Sequence, residues 1–131
     1  MKKLLAIFVV ILCLVSVGAQ ANDHKLKQAY ETHQSDLQVQ GSGTVIRLLP
    51  DDNDGSRHQK FILKLNSKQT LLVAHNVDLA PRVSNLKVGD RVQFYGEYEW
   101  NKKGGVMHWT HRDPNNKHPH GWLKHLSLIH I

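Results

Sequence analysis

A strictly alternating stretch, RVQFYGEYEW at residues 91–100, constrains the fold of this chain more than any other feature. In an extended conformation Val92 and Phe94 point to one face, whereas Gln93 and Glu97 point to the other. This period of two is typical of a half-buried β-strand, because successive side chains of a strand alternate between the faces of a sheet. The pattern therefore predicts a sheet with an apolar core on one side and a polar surface on the other.

Four further segments are predicted to be strands. The first begins with alternation, and Gly41 and Gly43 inside it predict a bulge or a sharp bend. After the third, a capping aspartate and a proline predict a short helix or helical turn over residues 78–86. The five predicted strands cover residues 37–49, 59–65, 70–75, 91–100 and 106–111.

Strands of this number and length predict an all-β domain with short helices, folded as a small five-stranded OB-like Greek-key barrel. Closure into a barrel would leave no sheet edge exposed. The Val88-Gly89-Asp90 turn supports this fold, since such a turn commonly enters the fourth strand of these barrels. The alternative is an open antiparallel sheet packed on an N-terminal helix. Because no internal repeat or linker is present, residues 37–125 are predicted to form one domain.

Residues 1–21 carry the pattern of a secretory signal peptide. Two lysines precede an apolar run over residues 4–17, and Ala-Gln-Ala at 19–21 provides the small residues that cleavage requires. Cleavage predicts a periplasmic or secreted protein, and an uncleaved membrane anchor is the alternative. After cleavage no stable membrane span and no disulfide partner would remain, because Cys13 is the only cysteine.

Two short segments flank the predicted barrel. Residues 22–36 place Leu26, Ala29 and Tyr30 at helical spacing, and they predict a short N-terminal helical segment. Residues 126–131 read LSLIHI, which resembles the translation of a common sequencing adapter, and they are predicted to be a non-native tail. A genuine terminal strand is the alternative, because the apolar residues of the tail alternate.

The charge balance of the chain is mildly basic. Removing the two lysines of the predicted signal peptide lowers the formal net charge from +6 to +4. Positive charge favours anionic partners, so the predicted partner classes are an anionic ligand, single-stranded nucleic acid and an envelope polymer. The lysines are scattered rather than consecutive, so no polybasic tail is predicted.

The segment GGVMHWTHRDPNNKHPHGW, residues 104–122, concentrates histidine and tryptophan. With no cysteine after position 13, imidazoles and carboxylates are the side chains left to bind zinc or another divalent transition metal. His108 and His111 are three residues apart, so they converge only if their strand ends or bulges near Thr110. The alternative is that the histidines bond the backbone of a long loop. The predicted metal ligands are His58, His75, His108, His111, Asp113 and His118.

A second set of side chains suits a ligand other than a metal. OB barrels stack nucleic-acid bases on exposed aromatic side chains, and basic residues follow the backbone. However, Glu97 and Glu99 share the face of Tyr95 and would repel phosphates, which an oligosaccharide or a peptide would avoid. The predicted ligand-binding residues are Arg57, Tyr95, Glu97, Trp109 and Trp122.

The segments DDNDGSRHQKFIL, AHNVDLAPRV, VGDRVQFYGEYEWN and GGVMHWTHRDPNNKHPHGW resemble an uncharacterised family of small exported bacterial proteins, domain of unknown function 3465. The resemblance runs from about Gln40 to Lys124, and the family implies no activity. From the chemistry of the residues, the chain is predicted to be a periplasmic binding module that depends on a metal held by a rim rich in histidine and tryptophan.

The alternative function is a metal-dependent hydrolase of the nuclease or phosphodiesterase type on the same barrel. In that hypothesis Asp52, Asp54 or Glu97 binds the metal, His111 is the general base and Arg57 steadies a phosphate. Against it, Asp52 and Asp54 belong to a stretch whose composition is that of a turn. The sequence leaves open whether the protein is an enzyme.

Overall fold

The computed structural model describes residues 22–126, which form one helix and six strands. The prediction of a mostly β fold is confirmed. The helix, α1, covers residues 22–31. The strands are β1 (Leu37–Asp52), β2 (His58–Lys64), β3 (Thr70–Asn76), β4 (Arg91–Glu99), β5 (Val106–His108) and β6 (Trp122–Leu126).

The strands form a ring-like sheet in the order β1, β2, β3, β5, β4, and β4 pairs again with β1. β3 and β5 are parallel, whereas all the other described pairs are antiparallel. One edge of β4 is shared by two partners, because β5 pairs with Glu97–Glu99 and β6 with Arg91–Tyr95. The ring therefore brings the ends of β2, β3, β4 and β5 together on one outer surface.

The inward faces of the strands form the core. In β4 the buried residues alternate with half-buried ones, so Val92, Phe94 and Tyr98 lie inside and Glu97 outside, as the alternation predicted. Helix α1, which confirms the predicted N-terminal helix, adds Leu26 to this core. The other buried apolar residues are Ala29, Val39, Val45, Phe61, Leu63, Leu65, Leu71, Val73, Leu86 and Met107.

Residues 78–86 form turns and irregular backbone, although a short helix or helical turn was predicted there. The buried side-chain amide of Gln59 explains the difference. It accepts a hydrogen bond from the Val83 N–H at 2.8 Å and donates one to the Val83 carbonyl at 3.0 Å. A helix would use the Val83 N–H and carbonyl for its own backbone hydrogen bonds, whereas here both bond to Gln59. Gln59 thus holds residues 78–86, which we call the plug, against the sheet.

The bulge or bend predicted at Gly41 and Gly43 is not found there, since both glycines pair with β4 in unbroken register. The register irregularities of the strand lie further along, between Val45 and Arg47 and between Leu49 and Asp52. The strand continues through Pro50 to Asp52, three residues beyond its predicted end. Gly41 serves close packing, since an added Cβ would lie 2.7 Å from the Phe94 ring.

The C-terminal part of the sheet differs from the prediction in two ways. β5 ends at His108 rather than at residue 111, because Trp109 adopts a left-handed backbone conformation with φ of 55°. The unpredicted strand β6 then adds a sixth strand beside β4. Leu126, assigned to the predicted non-native tail, pairs with Arg91 in that strand, and the rest of the tail and the predicted signal peptide lie outside the described residues.

No helix among residues 22–126 is long and apolar enough to cross a bilayer.

Candidate functional site

A cavity of about 340 Å³ lies on the outer face of the sheet, where β2, β3, β4 and β5 meet. We call it the histidine pocket. Its lining joins three imidazoles, two carboxylates and an indole. The lining residues are His58, Ala74, Asn76, Leu79, Glu97, Glu99, His108, Trp109 and His111.

Strand register explains why these side chains meet. Glu97 of β4 is the direct partner of His108 of β5, so the carboxylate and the imidazole project side by side. His58 opens β2 opposite Asn76 of β3. Ala74, two residues from Asn76 on the same face, contributes only a methyl group, which leaves space between these strands for a cavity.

His111 reaches the pocket from outside the sheet. Because Trp109 turns the chain out of β5 in a left-handed conformation, His108 and His111 come to line one cavity instead of opposite faces. The two histidines were predicted to converge only if the strand ended or bulged near Thr110, and β5 does end there, at His108. We call residues 109–121 the His-Trp loop.

Two of the pocket imidazoles are oriented by backbone carbonyls. The His58 Nδ1 lies 2.9 Å from the Ser56 oxygen, and the His111 Nδ1 lies 2.8 Å from the Arg112 oxygen. A carbonyl oxygen only accepts, so each Nδ1 carries the hydrogen and donates it. In the neutral ring the Nε2 atom then holds the lone pair and is the atom available to a metal or a proton.

Burial, followed by the nearby His58 ring, lowers the pKa of His108, although the Glu97 carboxylate opposes this shift. His108 therefore favours the neutral imidazole, which is the form that binds metals. On the acidic side of the pocket, burial raises the pKa of Glu99, and repulsion from Asp36 and Glu97 adds to the effect.

The ligand atoms of the pocket differ in how closely they are already gathered. Among residues 22–126, Asp36, Glu97 and Glu99 are the trio of His, Cys, Asp or Glu side chains whose ligand atoms all lie within 4.8 Å of one another. The imidazoles line the cavity with Glu97 and Glu99, but within residues 22–126 no such trio includes one of them. Rotation of the imidazole side chains about their χ angles is therefore needed before His58, His108 and His111 can share one ion.

His75, a predicted metal ligand, is buried and has both ring nitrogens in hydrogen bonds within the protein. It is 4% exposed, its Nδ1 lies 2.8 Å from the Thr110 hydroxyl and its Nε2 lies 3.0 Å from the Pro81 carbonyl. Since the carbonyl only accepts, Nε2 donates and Nδ1 accepts from the hydroxyl. Both ring nitrogens are thus occupied, and His75 ties β3 to the plug and to the His-Trp loop.

This arrangement predicts a pH-dependent stability. Burial is the main cause that lowers the pKa of His75 from its ordinary value of 6.5. The unfolded chain therefore takes up a proton that the folded chain refuses, so stability is greatest above about pH 6.5 and falls as the pH drops below it. The urea midpoint should fall more between about pH 7.5 and about pH 5.5 in the unmodified protein than in a His75→Gln variant. Equal decreases in the two proteins would contradict this role.

Asp113, also predicted to bind metal, organises the His-Trp loop instead. Its carboxylate accepts hydrogen bonds from the backbone N–H groups of Asn115, Lys117 and His118 at 2.8–2.9 Å. These bonds, with that of Asn115 the largest cause, hold the pKa of Asp113 below its ordinary value. The side chain is only 3% exposed and is not part of the pocket lining.

His118 does not line the pocket, but it contacts two residues that do, Trp109 and Glu97. Its ring stacks on Trp109 with centroids 4.2 Å apart and planes 12° from parallel. Its Nε2 lies 3.2 Å from Glu97 Oε1, and its Nδ1 lies 2.9 Å from the Pro119 carbonyl. The Pro119 carbonyl and the Glu97 carboxylate are both hydrogen-bond acceptors. Of the predicted metal ligands, His118 is thus the one already paired with a pocket carboxylate.

The remaining predicted ligand-binding residues are dispersed. Arg57 lies in the β1–β2 turn, where its Nε donates to Asn53 at 2.9 Å. Tyr95 and Trp122 pack together with ring centroids 6.3 Å apart, outside the pocket lining. In the turn that the hydrolase hypothesis used, Asp52 accepts the Asp54 N–H at 2.9 Å.

Glu99 was not among the predicted site residues, and the sequence pointed to it only as a charge that would repel phosphates. The signal was present, because Glu99 shares the outer face of β4 with Glu97 in the alternating stretch. Ala74 and Asn76 were missed. The pairing of β3 with β2 and β5 places them in the pocket, and nothing in the sequence of β3 alone marks them.

Residues 8–130 match the family described as Protein of unknown function (DUF3465), so the chain belongs to that family. A comparison with curated proteins found no match.

Proposed function

We propose that this member of the DUF3465 family is an exported, periplasmic binding module that holds a divalent transition metal in the histidine pocket. His58, His108 and His111 are the proposed nitrogen ligands, and Glu97 is the proposed oxygen ligand. Zinc is the ion best suited to such a set, because it accepts three imidazoles and a carboxylate in tetrahedral geometry without needing thiolates.

The observation that carries this proposal is the orientation of His58 and His111. Each ring donates its Nδ1 hydrogen to a backbone carbonyl, and each belongs to the lining of the same cavity. Metal-ligating histidines characteristically donate their second ring N–H in this way, because the bond fixes the tautomer and the direction of the lone pair. His58 and His111 share this hydrogen-bonding pattern and line the same cavity as Glu97, and this combination favours a cation bound between them.

Binding would change the contacts of Glu97. Its carboxylate is now paired with His118, so coordination would exchange that contact for the metal. The His-Trp loop is held independently by the Asp113 carboxylate and by the Gly121 N–H, which donates to the His111 carbonyl at 2.9 Å. The loop can therefore keep His111 in place while His118 moves.

The proposed fold and location have separate support. A ring of five strands in the order β1, β2, β3, β5, β4, closed by the β4–β1 pairing, is the arrangement expected of an OB-like barrel. The signal-like pattern of residues 1–21 supports export. Outside the cytoplasm a site built from nitrogen and oxygen ligands does not depend on reduced cysteine.

Elemental analysis of protein purified without a histidine tag and dialysed against zinc tests the proposal. The expected result is about one tightly held zinc ion per chain, together with a saturable calorimetric titration of the metal-stripped protein. A His24→Ala variant is the matched control, since His24 is an exposed residue of α1 that does not line the pocket. The proposal would be refuted if the folded protein takes up no zinc. It would also be refuted if the His24→Ala variant no longer holds the ion.

A further inference from the structure

A second concave surface lies on the other side of His111, and we call it the apolar groove. Its volume is about 620 Å³, within the range of cavities that bind small organic molecules. The groove runs between the plug, residues 78–86, and the first residues of β6. The side chains that matter to its chemistry are Leu79, Pro81, Val83, Arg112, Trp122 and Leu123.

The groove presents apolar side chains to solvent. Leu79 is 49% exposed and Trp122 is 37% exposed, although both line a concavity rather than a convex surface. Exposed apolar groups gathered in a cavity favour a ligand with an apolar body, because burying them releases water. The flat indole of Trp122 adds a surface on which an aromatic ring can stack.

The ionisable side chains that line the groove are all basic. Its lining contains Arg82, Arg112 and His125, and no aspartate or glutamate of the described chain lines it. Arg82 is paired with Asp51, and His125 Nε2 lies 2.6 Å from the buried Asp90 carboxylate. Arg112 is exposed and forms no salt bridge within residues 22–126, so its guanidinium is available to an incoming anion.

We infer that the apolar groove binds a small organic anion, a carboxylate carried on an aromatic or aliphatic body. The body lies against Trp122, Leu79 and Pro81, and the carboxylate pairs with Arg112. The histidine pocket differs in charge, since Glu97 and Glu99 line it and would repel such a ligand. The two cavities meet at Leu79 and His111, which line both, so they form separate sites on adjoining surfaces.

Nuclear magnetic resonance titration of ¹⁵N-labelled protein tests this inference with 2-naphthoate and octanoate as probes. At least one probe should give saturable shifts of the Trp122 indole N–H. An Arg112→Gln variant should weaken that binding by roughly tenfold, as expected for loss of one charge-assisted pair. Lys117→Gln is the matched control, because Lys117 is an exposed cation of the same loop outside the groove. It should leave the affinity unchanged.

The uncharged 2-naphthamide separates recognition of the anion from simple apolar contact. It should bind more weakly than 2-naphthoate, and Arg112→Gln should not alter its affinity. Absence of saturable shifts with both anions would overturn the inference. So would equal binding of 2-naphthoate and 2-naphthamide that is insensitive to Arg112→Gln. Because zinc is absent from these titrations, the outcome does not depend on the histidine pocket.

Discussion

Replacing His58 and His108 together with alanine is expected to weaken zinc binding by on the order of a hundredfold or more, since both changes remove proposed ligands. Neither ring belongs to the buried core, and both lie on the outer face of the sheet. The double variant should therefore remain folded, which its far-ultraviolet circular dichroism and urea midpoint will show. Isothermal titration calorimetry of metal-stripped protein measures the affinity.

The exposed His24 provides the matched control for that experiment, because it belongs to α1 and does not line the pocket. The zinc affinity of the His24→Ala protein should equal that of the unmodified protein. If His24→Ala loses as much affinity as the double variant, zinc is binding to surface histidines without a defined site, and the proposed set of ligands is wrong.

Replacing Gly121 with alanine is expected to destabilise the fold by about 3 kcal/mol, at the upper end of the usual cost of overpacking. An added Cβ would lie 1.8 Å from the Trp109 carbonyl oxygen and 2.5 Å from that of Tyr95. Both contacts are to backbone, so no side-chain rotation can relieve them. Urea denaturation measures the loss, and the displaced His-Trp loop should also weaken zinc binding.

Gly55 gives the comparison that isolates this steric effect. No atom lies within 4 Å of a Cβ added there, although its φ of 73° is in the left-handed region. Gly55→Ala should therefore cost only about 1 kcal/mol of backbone strain. If the two variants lose equal free energies of unfolding, the close approach of Gly121 to Trp109 and Tyr95 does not exclude a Cβ, and the predicted steric effect is wrong.

Much of the fold followed from local pattern. The alternation of β4 identified its buried and exposed faces, and the apolar spacing of residues 22–36 identified α1. The missed strand β6 has the short sequence WLKHL, in which no residue is fully buried and each face mixes apolar with polar side chains. Such a strand lacks the alternation of apolar and polar residues by which a half-buried strand is recognised. The parallel β3–β5 pairing was likewise beyond local pattern.

The candidate site was predictable in composition and only partly in geometry. Of the histidines that the sequence predicted as metal ligands, the structure brings His58, His108 and His111 to one cavity. It separates His75 and Asp113, because the Pro81 carbonyl and three loop N–H groups already satisfy them. Which backbone group faces a polar side chain depends on tertiary packing, so residue type alone cannot distinguish a free imidazole from an occupied one.

The nitrogen chemical shifts of the imidazole rings test the metal site most directly. Long-range ¹H–¹⁵N spectra recorded before and after one equivalent of zinc report each ring nitrogen separately. We expect the Nε2 resonances of His58 and His111 to shift on binding, while both nitrogens of His75 keep their positions because they remain bonded to Thr110 and Pro81. Unchanged Nε2 resonances of His58 and His111 in the presence of bound zinc would contradict the proposed site.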